Sequence, residues 1–260
     1  MTEDQSLYNN VAPLANVAAL VTLIERVERR DYGLPGMATF YGPSGFGKSY
    51  GAIYAANRFD ACLVQVKSSW RPRYLCTAIL IELGVKPKGT VADLAARVSE
   101  ELARSARPLL IDEADFLVER GMVELAREFH ESSGSPVILI GEELLPQKLQ
   151  AWERVHGRML DWVAAQEGTL SDVRHLSDIY CRGVTLSDDL AQMVLERSAR
   201  SIRRISVNLS RLREFAMMHG LTALTREDWA KAGAGLYTGE APEARRHLAI
   251  GAAPARRRVA

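Results

Sequence analysis

Lysine is scarce in this 260-residue chain: six, at positions 48, 67, 86, 88, 148 and 231, among 33 basic residues. The cations are therefore mostly arginine, whose planar fork suits bidentate contact with phosphates and carboxylates. Cysteine is sparser still. Cys62, Cys76 and Cys181 are an odd number at scattered spacing, which excludes a disulfide framework and a CxxC metal ribbon and fits a reducing cytoplasm. No apolar run approaches the roughly 18 residues of a membrane span. The first ten residues, MTEDQSLYNN, are acidic and polar where a secretory signal is basic and then apolar. The histidines at 130, 156, 175, 219 and 247 show no metal-ligand spacing, and there is neither a GxSxG nucleophile motif nor an internal repeat. Net charge is nearly missing too, at +1. That sum hides an asymmetry: from residue 197 onward 13 basic residues meet 5 acidic ones, a net +8, and the preceding part carries −7. A uniformly basic coat is excluded; a local phosphate-binding face is not.

What is present is the composition of a globular protein, 47% hydrophobic and 25% charged, with length for one large domain or a domain with a small partner. Apolar residues at 14, 17, 20, 21, 24 and 27 have helical spacing and predict a helix over 14–30. Short apolar runs predict strands at 37–41, 61–66, 109–112, 137–140 and 173–176. Helical stretches are predicted between them at 48–58, 72–83, 90–105, 117–131 and 144–165. Such alternation implies an α/β fold with a parallel sheet covered on both faces. Beyond about 183 the strand signal stops, and 186–198, 202–219 and 225–231 read as three helices. The expected division is an N-terminal helical segment at 1–32, an α/β core at 33–182, a helical module at 183–235 and a basic, disordered tail at 236–260.

Gly42-Pro43-Ser44-Gly45-Phe46-Gly47-Lys48-Ser49 matches GxxxxGK[ST] in full, between a predicted strand and a predicted helix. Small residues let such a loop wrap an anion with its N–H groups inward, at a helix N-terminus whose dipole also favours negative charge. Lys48 would reach the β- and γ-phosphates of ATP, and Ser49 would ligate Mg²⁺. Sixty-four residues after Lys48, the apolar strand Leu109-Leu110-Ile111 ends in Asp112 and Glu113. Asp112 would hold Mg²⁺ through water, and Glu113 would act as general base on the attacking water. In a parallel sheet both segments meet at the C-terminal ends of the strands. The plainer alternative is that the two acids cap the next helix. Asp115 reads as a helix N-terminal or supporting acid.

The loop GPSGFGKS, the LLIDEAD strand, the VILIG strand and a helical C-terminal module together resemble the AAA+ ATPases, over roughly 12–232. Within them the pattern is similar to the phage Mu transposition protein B family, which includes target-selection ATPases of transposons; the IGEELL stretch carries that finer likeness. The resemblance implies a P-loop NTPase (AAA+) sheet sandwiched by helices with a small all-helical lid. The helix-turn-helix domain that precedes the ATPase in the Mu protein is expected to be absent. The resemblance also implies a sensor at Glu142, where many relatives have Asn, Thr or Ser; a helix-start acid is the alternative. It implies an arginine finger reaching a neighbouring subunit, at Arg158 first and Arg154 second, against a plain surface ion pair. It implies a second sensor at Arg203, against a solvated basic face, and adenine-pocket residues at Asn16 and Val17.

One loop bears on nucleic acid. Lys67-Ser68-Ser69-Trp70-Arg71-Pro72-Arg73 surrounds an aromatic with three cations and two hydroxyls, groups that bind backbone phosphates without reading sequence. The alternative has Trp70 packed inward in a loop with no such role. In the resembling family this part of the module faces DNA, so Lys67, Arg71 and Arg73 are the DNA-binding candidates; Arg245, Arg246 and Arg256–Arg258 would add non-specific affinity or form a solvated tail. The combined expectation is a cytoplasmic, ATP-dependent ATPase. It would assemble as a homo-oligomer or helical filament on double-stranded DNA, assist transposition beside a transposase, and make no contact with membrane. A protein-directed AAA+ ATPase and a weakly hydrolysing nucleotide-switch adaptor are the alternatives.

Overall fold

In a computed structural model, which describes residues 14–231, 233 and 235–241, the chain forms a five-stranded parallel sheet with helices on both faces. The strands are β1 (Met37–Tyr41), β2 (Cys62–Gln65), β3 (Leu109–Asp112), β4 (Val137–Gly141) and β5 (Met159–Ala164). Their spatial order is β2-β3-β4-β1-β5, every pair parallel. Each strand splits its side chains between two cores, as the period-two geometry of a strand requires. Ala38, Phe40, Leu110, Ile138 and Ile140 face α1 (Ala15–Glu28) and α2 (Lys48–Phe59). Met37, Leu109, Ile111, Val137 and Leu139 face the other layer. That layer holds α3 (Pro72–Glu82), α4 (Val91–Ser105), α5 (Asp115–Glu119), α6 (Val123–Ser133), α7 (Leu145–Gln150) and α8 (Glu153–His156).

A third core joins α9 (Leu170–Tyr180), α10 (Asp188–Arg197), α11 (Ile202–Met218) and α12 (Arg226–Lys231), through Val173, Leu176, Val194, Ile205, Leu212 and Trp229. Leu14 and Val17 at the start of α1 belong to the same core. The C-terminal module is not wholly helical. Two-residue strands, β6 (Thr185–Leu186) and β7 (Ala223–Leu224), pair in parallel within it.

Three further sequence expectations are corrected. Residues 173–176 are not a strand but the middle of α9. Thr169 and Asp172 form a reciprocal capping box there, and buried Val173 and Leu176 recur at helical spacing. The predicted helix over 144–165 holds only as two short helices, α7 and α8, and ends at His156. Trp152 leaves helical geometry at φ −111°, ψ 74°, and Met159–Ala164 forms the fifth strand beside β1. Every residue of that edge strand is only partly buried, so no clean alternation marks it in the sequence. The helix predicted over 117–131 is two, α5 and α6. The basic tail residues Arg245, Arg246 and Arg256–Arg258 lie outside the described residues.

Candidate nucleotide site

The loop after β1 is tied into the sheet at its first residue. The Gly42 N–H donates to the Gly141 carbonyl at the end of β4 (3.3 Å), and the Ala165 N–H, after β5, donates to Tyr41 (2.7 Å). The Ala114 N–H, after β3, donates to Ile140 (2.9 Å). The C-terminal ends of β1, β3, β4 and β5 are thus stitched together, and the segments that follow β1, β3 and β5 contribute to the wall of one cavity of about 350 Å³. Its polar wall includes Ser44, Gly45, Gly47, Lys48, Ser49, Glu113 and Arg203.

Lys48 is partly buried and its ammonium donates to the carbonyls of Gly42 (2.6 Å) and Pro43 (2.9 Å). Burial lowers its pKa, against the upward pull of Asp112, Glu113, Glu142 and Asp115. Asp112 is 5% exposed. Its Oδ1 accepts the Glu113 N–H (3.0 Å), and Gln65 Nε2 approaches its Oδ2 (3.5 Å). Glu113 has φ +56°, a left-handed conformation that costs a non-glycine residue about 1 kcal/mol or more. Its pKa is raised by burial first, then by the charges of Asp112 and Glu142, with Lys48 opposing. A carboxylate lifted this way is a better proton acceptor than a solvated one. The hydroxyl of Ser49 and the carboxylate of Asp112 are hard oxygen donors that fit Mg²⁺, which takes few protein ligands beside water and phosphate. Among the described residues no group of three or more His, Cys, Asp or Glu could hold a metal.

Other candidates fall as follows. The side chain of Glu142 is exposed, yet its charge reaches Lys48 and Glu113. Its backbone N–H donates to Asp115 Oδ2 (2.6 Å). Asp115 is 4% exposed and also accepts from Lys148 (2.9 Å), so it braces the ends of β3 and β4 against each other. Arg203 lies at the start of α11, directly on the phosphate loop. Its N–H donates to the Gly45 carbonyl (3.0 Å) and its guanidinium to Ser44 Oγ (3.3 Å). Gly45 has φ +86°, and a Cβ there would lie 2.6 Å from Ser201 Oγ, so only glycine admits this contact.

Arg158 sits at the far end of the sheet. Its carbonyl accepts the N–H of Met37, the first residue of β1 (3.1 Å), and its Nε donates to Glu131 (2.7 Å). The length of β1 separates it from its own loop, about 15 Å. Arg154 is exposed on α8 nearby. Asn16 and Val17 do not line the cavity; Leu14 does, with Tyr50, Leu176, Tyr180, Ile202, Ser206 and Val207. These wall residues come from four separate segments, and no local pattern in the sequence points to them. Ser201 and the capping box of α9 were visible in principle, as polar residues just before apolar helical runs.

The cationic loop follows the edge strand β2, at the same end of the sheet but three strands from β1, about 14 Å away. Lys67 and Arg71 are exposed. Arg73 donates to the Gly89 carbonyl (3.0 Å), and Trp70 packs against the larger core.

Residues 31–149 match the AAA domain family. No curated protein matches the chain. Among solved structures it is similar to the Orc1 protein of Aeropyrum pernix in complex with DNA, at 20% identity and TM-score 0.59, covering 84% of this chain and 64% of that one. Cdc6p from Pyrobaculum aerophilum gives 17% and 0.57, covering 83% and 65%. The Thermotoga maritima RuvB Holliday junction branch migration motor gives 18% and 0.57, covering 83% and 67%. The chain thus spans less than two thirds of the Orc1 and Cdc6p chains. At these identities the likeness shows the fold alone: a five-stranded parallel α/β sheet flanked by helices, matching that of P-loop AAA+ NTPases. No helix among the described residues is long and apolar enough to cross a membrane.

Proposed function

We propose that this chain is an ATP-hydrolysing AAA+ switch whose nucleotide state controls assembly on double-stranded DNA. The observation that carries the reading is the convergence of Lys48, Ser49, Glu113 and Arg203 on one cavity, with buried Asp112 beside them. Lys48 would neutralise the β- and γ-phosphates. Glu113 would take the proton of the attacking water. Arg203 would register the phosphates and carry the change into α11. When bound, Mg²⁺ would neutralise charge on the phosphates, held by Ser49 and Asp112. Arg158 or Arg154 would complete the site of a neighbouring subunit, so hydrolysis would require a homo-oligomer.

The finer reading is a filament-forming ATPase of transposition, whose ATP-bound state captures target DNA and whose turnover a transposase stimulates. The likeness of the IGEELL stretch to the Mu protein B family supports it, as do the exposed cations Lys67 and Arg71. DNA affinity measured by anisotropy with ATP, with ADP and without nucleotide tests it; equal affinity in all three sinks the switch. A Lys67→Ala/Arg71→Ala/Arg73→Ala variant should bind ATP normally and reduce the slope of log affinity against log salt by about two to three, near 0.9 per phosphate contact. Electron microscopy with ATP and duplex DNA should show filaments.

The bond from Arg73 to Gly89 and the inward packing of Trp70 favour one second reading, an AAA+ ATPase acting on a protein partner. Discrete rings without DNA, with turnover raised by a protein, would select it.

A further inference from the structure

Asn16 lies 3% exposed at the second position of α1, and its side chain is fully used. Nδ2 donates to the Phe46 carbonyl of the phosphate loop (2.9 Å) and to the Gln166 carbonyl (2.7 Å). Oδ1 accepts the Gln166 N–H (2.7 Å). Gln166 belongs to the connector between β5 and α9, so one amide bridges the loop and the hinge from which the helical module hangs. A second buried group repeats the pattern. Asp172, 3% exposed, accepts the Ala15 N–H (3.1 Å) on Oδ1 while its Oδ2 caps the start of α9 through Thr169. The first turn of α1 has no side-chain cap of its own, and Asp172 supplies one of its missing acceptors.

The consequence for the loop follows from peptide planarity. In a trans peptide the C=O and the following N–H point in opposite directions. Holding the Phe46 carbonyl toward Asn16 therefore turns the Gly47 N–H away from Asn16. Gly47 lines the cavity and Asn16 does not, so the N–H faces the side where an anion would sit. We propose that Asn16 is a positioning residue for the phosphate loop. It orients the Gly47 N–H toward the phosphates and couples that orientation to the connector at Gln166, without touching the adenine. The proposal rests on the nucleotide-binding reading above.

The test uses the full chain, ATP and inorganic tripolyphosphate. Asn16→Ala should weaken both by the same factor, ten- to a hundredfold, as for loss of a hydrogen bond to a charged group. Leu23→Ala, buried in the same helix and bearing no side-chain hydrogen-bonding group, serves as the control at matched loss of melting temperature. It should leave both affinities near wild type. Weakening of ATP alone would mean that Asn16 acts on the nucleoside and would overturn the proposal, as would unchanged affinity for both. Amide hydrogen exchange gives a readout independent of ligand: peptides covering 42–49 and 166–172 should both exchange faster in Asn16→Ala. Unchanged exchange at 42–49 overturns the proposal even if Asn16→Ala folds poorly enough to blur the titrations. If the wild type binds neither ligand, the nucleotide reading fails by itself, and the exchange data still decide whether Asn16 ties loop to connector.

Discussion

At the C-terminal end of the sheet, Asp112, Glu113, Asp115 and Glu142 crowd around Lys48, and Glu113 is held at positive φ with a raised pKa. At the N-terminal end the ions are matched. Arg158 meets Glu131, Arg107 meets Asp60, and Arg30 donates to the carbonyls of Val27 and Gly134. One end keeps like charges close together beside a cavity, an arrangement that lowers stability and raises reactivity. The other resembles ordinary surface electrostatics, where exposed pairs contribute about 0.2–1 kcal/mol each. The difference marks where chemistry belongs, and it makes Arg158 the informative residue: a charge at the quiet end that can serve the reactive end only of another subunit.

The largest expected effect therefore comes from the quiet end. Arg158→Ala should cut ATP turnover of the assembled protein about 10³-fold while leaving ATP binding by the monomer and the melting temperature nearly unchanged. Mixing Arg158→Ala with Glu113→Gln subunits should restore part of the turnover, because each supplies what the other lacks. If Arg158→Ala retains full turnover, Arg154→Ala is the next variant; if both do, the two ends are independent. Next in size, Glu113→Gln should lower turnover about 10²-fold or more with ATP affinity intact. Unchanged turnover would instead favour a nucleotide-bound adaptor that barely hydrolyses.

A pH experiment sharpens the comparison from the other side. His130, 8% exposed at the N-terminal end, has its pKa lowered by burial and by the charges of Arg30 and Arg158, against the upward pull of its hydrogen bond with the Ser135 carbonyl and of Glu131. A histidine whose folded pKa lies below its unfolded value, about 6.5, takes up a proton on unfolding. Its contribution is thus present in full above about pH 6.5 and is lost as the pH falls toward the folded pKa, by about 1.4 kcal/mol per unit of depression. Urea midpoints at pH 7.5 and 5.5 should differ more for the wild type than for His130→Gln. An equal difference would move the acid sensitivity to the carboxylates of the opposite end.

The two ends were unequally legible in the sequence. GPSGFGKS and the acids after Leu109–Ile111 could be read because the chemistry of each lies within eight consecutive residues. The sheet is legible at β1, β3 and β4, buried on both faces, and at β2 through its short apolar run; β5, partly buried throughout, reads as helix. The apolar wall of the cavity was not legible, since Leu14, Tyr50, Leu176 and Ile202 become neighbours only after folding. Asn16 was singled out, but its three hydrogen bonds go to backbone groups 30 and 150 residues away, which no local pattern encodes. The pairing of Arg158 with Glu131 depends on how α6 lies beside the start of β5, a tertiary fact.

The smallest expected effect lies between the ends, in the middle of β1. Thr39 is fully buried and its hydroxyl has no hydrogen-bond partner among the described residues. Burying an unpaired hydroxyl costs about 1–3 kcal/mol, and valine has nearly the same shape. Thr39→Val should therefore raise stability by about 1 kcal/mol in chemical denaturation. The accompanying turnover assay decides which end the residue resembles. If stability rises and ATP turnover falls, the hydroxyl belongs with Glu113 among groups kept at the expense of stability, three residues before the phosphate loop. If stability rises and turnover holds, the reactive character of the sheet begins only at Gly42. A loss of stability would mean that Thr39 has an acceptor, and the contrast would then be confined to the charged groups.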